Sequence, residues 1–129
     1  MFTLQQIQEA HSRVKSGTDF PQYIRELKAL EVKAYETYVN DGHSEFFNKE
    51  NQILSSPPKY EKLEIAENCN PTQFREYLEL HQQGKTDYPT FCEHCAATGI
   101  EKWLVDLEKF TCVYFAKENT LVFEEAIPQ

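Results

Sequence analysis

The chain has 129 residues, 40% of them apolar and 26% charged, and a formal net charge of −8, which fits one domain (1–129) able to bury roughly 65–70% of its unfolded surface. The acidic excess lies mainly in residues 65–129, with 5 basic and 11 acidic groups against 8 and 10 in residues 1–64; such a surface repels phosphate backbones and anionic lipids, so neither nucleic acid nor a membrane is expected as a partner. No apolar run nears the ~18 residues of a membrane span, and MFTLQQIQEAHSRV lacks the pattern of a secretory signal, so a cytoplasmic protein with four free thiols is expected.

Thr3 opens a first helix: Gln6 completes a capping box, and Phe2 and Ile7 are spaced as a hydrophobic staple. Leu4, Ile7, Ala10, His11 and Val14 make one apolar stripe, and Gly17 is placed to end the helix. Thr18 or Asp19 caps a second helix, with Pro21 in its first turn and Phe20, Tyr23, Ile24, Leu27 and Leu30 on its buried face. From Val32 the period becomes two, with Tyr35, Thr37 and Val39 on one side and Ala34, Glu36 and Tyr38 on the other, which predicts a strand. Asn40-Asp41-Gly42 is a turn, His43 to Phe47 a returning strand, Lys49-Glu50-Asn51 a second turn, and Gln52 to Ser55 a third strand.

The connection spans 56–69. Its two prolines bar it from a central strand, although Tyr60, Leu63 and Ile65 suggest an extra edge strand over 59–65. Asn70-Pro71 with Gln73 then starts a third helix carrying Phe74, Tyr77, Leu78 and His81, with Gly84 at its end. Tyr88, Phe91, Cys92 and Cys95 face inward from a fourth helix that Gly99 closes. Strands follow over 100–107, 111–116 and 120–126, and Trp103 or Tyr35 is expected to hold a helix onto the sheet.

The second half repeats the first. Residues 18–53 align without a gap on 86–121 at an offset of 68, with eight of 36 positions identical, Thr18/Thr86, Asp19/Asp87, Pro21/Pro89 and Lys49-Glu50-Asn51/Lys117-Glu118-Asn119 among them. About two would be expected by chance. At an offset of 67 the first and third helices share Gln6/Gln73 and Glu9/Glu76. The expected fold is α+β: an internal duplication of a helix-helix-strand-strand-strand unit (about 3–55 and 70–127), forming a mixed or antiparallel sheet with helices on one face. A groove along the pseudo-twofold axis is the natural ligand site.

The run HQQGKTDYPTFCEHCAATGIEKWLVDLEKFTCVYF, with YETYVNDGHSEFF upstream, resembles the YbcV-like family. These are small bacterial and prophage-associated proteins of unknown function, sometimes labelled phage envelope protein. The resemblance covers the chain from the Thr3 helix to Ile127-Pro128 and implies a fold, but no activity, cofactor or catalytic residue.

The chemistry-bearing residues are few. Cys92-Glu93-His94-Cys95 offers two thiols to zinc, with His94 or His81 as a nitrogen donor, but only one such pair is present and Cys92 and Cys95 align with the inward-facing Ile24 and Leu27. His11 and His81 lie on the inner faces of their helices, where they are core residues or titratable groups lining a cleft. Asp41 and His43 share a turn. Asp19 and Asp87 read as helix caps. Tyr38 and Asp106 lie near strand ends. No phosphate loop, nucleophile elbow or metalloprotease signature occurs.

The favoured reading is a non-enzymatic module, monomer or homodimer, that binds a small molecule or a protein and needs no cofactor. Its candidate ligand residues are His11, His81, Tyr38, Asp41, His43 and Asp106. The alternatives are a small enzyme using histidine acid–base chemistry between the repeats, and a zinc protein built on Cys92 and Cys95.

Overall fold

Local caps start the helices where the sequence places them. In the computed structural model, which describes residues 2–14, 19–50 and 52–127, Thr3 and Gln6 form the reciprocal capping box of α1 (Leu4–Ser12). Phe2 and Ile7 are both buried beside it. Asn70 caps α3 (Pro71–Gln82) through the Gln73 amide, and Asp87 caps α4 (Tyr88–Ala97) through the Thr90 amide. Asp19 stands at the N-cap of α2 (Phe20–Ala29) in helical backbone, φ −89° and ψ −4°. The expected roles of Gly17, Thr18, Asn51 and Pro128 fall outside the described residues. None of the described helices is long and apolar enough to cross a membrane.

The strands are β1 (Val32–Tyr38), β2 (Ser44–Asn48), β3 (Ile53–Ser55), β4 (Lys102–Asp106), β5 (Thr111–Ala116) and β6 (Thr120–Ala126). They form one sheet in the order β3-β2-β1-β4-β5-β6, antiparallel throughout. The order reads identically outward from the centre, and the registers follow. Tyr35 pairs with Phe46, and Trp103 with Tyr114, both partners displaced by the same 68 positions. The central β1–β4 ladder is symmetric about Glu36↔Leu104, themselves 68 apart. A bulge between Tyr114 and Phe115 interrupts the match at β5–β6.

Period-two alternation sends Tyr35, Thr37, Phe46, Trp103, Val105, Cys112 and Tyr114 to the inner face, where all are buried. The helices cover that face. Tyr23 of α2 meets Tyr35 edge-on at 6.2 Å and Phe91 of α4 meets Trp103 at 5.7 Å, so both aromatic positions hold a helix to the sheet. The outer face carries half-buried residues, among them Glu36 and Lys102, which pair at 2.9 Å.

The stretch 59–65 is not an edge strand. Its amides bond to a turn instead of a ladder: Lys59 N–H to the Asp41 carbonyl at 2.8 Å and Leu63 N–H to the Asn40 carbonyl at 2.6 Å. The Tyr60 hydroxyl donates to the Val39 carbonyl at 2.6 Å. Gly42, at φ +78°, is what lets this segment approach, because a Cβ there would lie 2.6 Å from the Tyr60 ring. The connection is thus pinned beside the first hairpin, which brings Lys59 to the space between helices and sheet.

Candidate functional site

That space is a cavity of about 340 Å³, at the small end of the ~300–1,000 Å³ usual for ligand pockets. All four helices, the inner sheet face and the connection contribute to it. Residues 68 apart in the sequence line it in pairs: Tyr23 and Phe91, Tyr35 and Trp103, Ser44 and Cys112. His11 and Leu78, and Val14 and His81, each pair 67 apart in the sequence, line it as well. Two of the six candidates, His11 and His81, therefore share one cavity.

Their surroundings differ. His11 is met edge-on by Tyr23 and Tyr88, each 5.3 Å away. Burial, and then the nearby Lys59 charge, lower its pKa to about 4, so its imidazole is neutral at pH 7. His81 stacks on Phe91 at 4.3 Å, and its Nδ1 lies 3.2 Å from the Thr86 carbonyl. Burial again pulls its pKa down, against the Thr86 bond and the Asp87 charge.

His11 makes folding pH-dependent. Between about pH 6.5 and 4 the unfolded chain binds a proton there that the folded chain refuses. The His11 contribution is complete above that window and lost as the pH falls through it, by on the order of 2–3 kcal/mol. Thermal melts from pH 7 to 4 are expected to fall more steeply for the wild type than for His11→Phe, which keeps the ring contacts and drops the proton site. Parallel curves would contradict a buried, neutral His11.

The other polar groups are arranged unevenly. The Thr37 and Ser44 hydroxyls bond to each other at 2.7 Å. Glu125 accepts from the Gln82 amide at 2.8 and 3.0 Å and from the Tyr114 hydroxyl at 3.2 Å. Lys59 is an exposed residue at the rim, its ammonium 5.5 Å from the Tyr88 ring centroid. Burial of the ammonium lowers its pKa, partly offset by Cys92. Sequence reasoning passed over Lys59 because it sits in an irregular connection where no periodicity assigns it a face.

The remaining candidates are not in the cavity. Tyr38 stacks on His43 at 4.6 Å and donates to Glu45 at 3.3 Å, and its hydroxyl pKa is pushed up to about 12 by burial and by Glu36 and Glu45. His43 Nδ1 lies 2.5 Å from Asp41 Oδ1. Burial pushes the Asp41 carboxyl up, but hydrogen bonds from the His43 amide and ring outweigh it and hold it low. Asp106 closes its own turn by accepting from the Glu108 and Lys109 amides at 2.9 and 3.0 Å. Tyr38 also edges a second hollow, of about 940 Å³ and rimmed by Lys62, Glu64, Glu67, Glu101 and Lys117, where Lys117 pairs with Glu67 at 2.6 Å.

The cysteines do not form a metal centre. Cys92 and Cys95 are both fully buried in the hydrophobic core, and burial raises both pKa values. His94 stacks on Tyr77 at 3.8 Å. Among the described residues no group of three or more His, Cys, Asp or Glu could hold an ion. The zinc alternative finds no ligand set among the described residues.

Comparison with known proteins places the chain without assigning it a reaction. It is 23% identical over 120 residues to the uncharacterized protein YcgX of Escherichia coli (strain K12), an alignment covering 93% of this chain and 90% of that protein. The family described as "Protein of unknown function (DUF1398)" matches residues 8–126, and the chain belongs to that family.

Proposed function

We propose that this chain is a binding protein for a small molecule, held in the cavity between the four helices and the inner sheet face. The observation that carries this is the cavity's lining: equivalent residues of both halves converge on one aromatic space of about 340 Å³ that contains His11 and His81. A core built only for stability closes such space, since interiors pack at crystal-like density. In this reading the chain is a duplicated unit with its site on the pseudo-axis, a YbcV-like member of its family. Its four free cysteines favour a reducing, cytoplasmic setting.

A thermal-shift screen of small planar aromatic compounds in neutral, anionic and cationic forms tests the proposal. Ligands are expected to raise the wild-type melting temperature by several degrees at saturation. The rise should vanish in Val14→Trp and Gln82→Trp, each of which puts a bulky ring in place of a lining side chain. No stabilising compound, or equal stabilisation of the filled variants, would overturn it.

A second reading, acid–base catalysis, draws support from His11 and His81 lining the same cavity. Recovering a bound compound after long incubation separates the two: an unchanged compound supports binding, a converted one catalysis.

A further inference from the structure

We propose that the cavity selects a planar aromatic monoanion, seated with its negative group against the Lys59 ammonium and its ring among the side chains of Tyr23, Tyr35, Phe91 and Trp103. This rests on the cavity being the ligand site. The shape argument comes from the wall. Tyr88 and Trp103 meet edge-to-face at 6.3 Å, and Phe91 and Trp103 lie 5.7 Å apart, leaving ring edges and faces that a flat apolar body can stack upon.

The charge argument comes from what is already satisfied. Glu125 also lines the cavity and keeps its negative charge, but its oxygens are already occupied by three hydrogen bonds from Gln82 and Tyr114. Lys59 has the Tyr88 ring face and, among the described residues, no ion-pair partner. His11 is neutral at pH 7 and adds no charge. The charged group at the cavity whose hydrogen-bonding capacity is still open is therefore the Lys59 ammonium. An aromatic wall alone would also suit a cation, as in the cages that bind quaternary ammonium groups, but Lys59 at the rim repels one. The net charge of −8 disfavours anions in general, so a local cation is what makes an anion welcome in this cavity.

Two probes with one skeleton separate the charge from the shape: 1-anilinonaphthalene-8-sulfonate carries a sulfonate, and N-phenyl-1-naphthylamine does not. Fluorescence titration of the full chain at fixed salt is expected to show the sulfonate binding on the order of tenfold more tightly, the worth of one charge-assisted contact. Lys59→Met should erase that preference while leaving the neutral probe's affinity unchanged, and Lys59→Arg should retain it. Equal affinities in the wild type, or a preference that survives Lys59→Met, would overturn the anion selection and leave the cavity standing. Failure of both probes to bind, or binding undiminished in Val14→Trp and Gln82→Trp, would overturn the cavity reading as well.

Discussion

Gly99→Ala is expected to destabilise the fold by about 3 kcal/mol, lowering the melting temperature by roughly 10 °C. Gly99 ends α4 at φ +87°, a conformation that costs a side-chain-bearing residue about 1–2 kcal/mol. The added Cβ would also lie 2.8 Å from the Cys69 Cα and 3.1 Å from the Asn68 carbonyl oxygen, both backbone atoms. That backbone cannot step aside cheaply, because the Asn70 amide bonds to the Thr98 carbonyl and the Ala66 amide to the Ala96 carbonyl, each at 2.9 Å. Overpacking adds about 1–3 kcal/mol in such settings. Urea denaturation measures the loss. A cost below about 1 kcal/mol would mean that the connection does not press on the end of α4.

Phe74→Ala is expected to cost about 3–5 kcal/mol, the usual penalty for emptying a fully enclosed phenylalanine site. Phe74 has 0% exposure, and its ring lies 4.9 Å from Tyr114 and 6.4 Å from Phe91. It joins α3 to both the sheet and α4. With total stabilities of about 5–15 kcal/mol, such a loss leaves little margin. Phe74→Leu keeps most of the volume and should cost about 1–1.5 kcal/mol. Equal effects of the two substitutions in urea melts would contradict tight packing of α3. Tyr114 and Phe91 also line the cavity, so the alanine variant should weaken ligand binding as well.

Much of this architecture was legible because its determinants are local. Thr3 with Gln6, Asn70 with Gln73 and Asp87 with Thr90 are contacts across three residues, which a sequence displays directly. The alternation in β1 and β4 likewise fixes which side chains turn inward. The strand order is a different matter. The offset of 68 pointed to two related halves, but the all-antiparallel pairing of β1 with β4 rests on contacts between those halves.

The misread segment 59–65 shows the limit. Its spaced apolar residues imitate a strand, yet its backbone donors are claimed by the carbonyls of Asn40 and Asp41. The candidate site divides along the same line. His11 and His81 were visible because they interrupt apolar helical stripes. Tyr38, Asp41 and His43 are sequence neighbours that cluster with one another, outside the cavity. Lys59 gains its place only from the pinned connection, so nothing near it in sequence could mark it.

The most direct test of the cavity uses the chain's single tryptophan, which lies in the cavity wall. Its indole N–H gives one isolated proton–nitrogen resonance, to be followed by NMR during titration with 1-anilinonaphthalene-8-sulfonate. A saturable shift of the Trp103 signal in the wild type, absent in Val14→Trp and Gln82→Trp where the second indole signal is assigned separately, is the predicted result. A Trp103 signal that stays fixed while the probe shifts only surface resonances would contradict it.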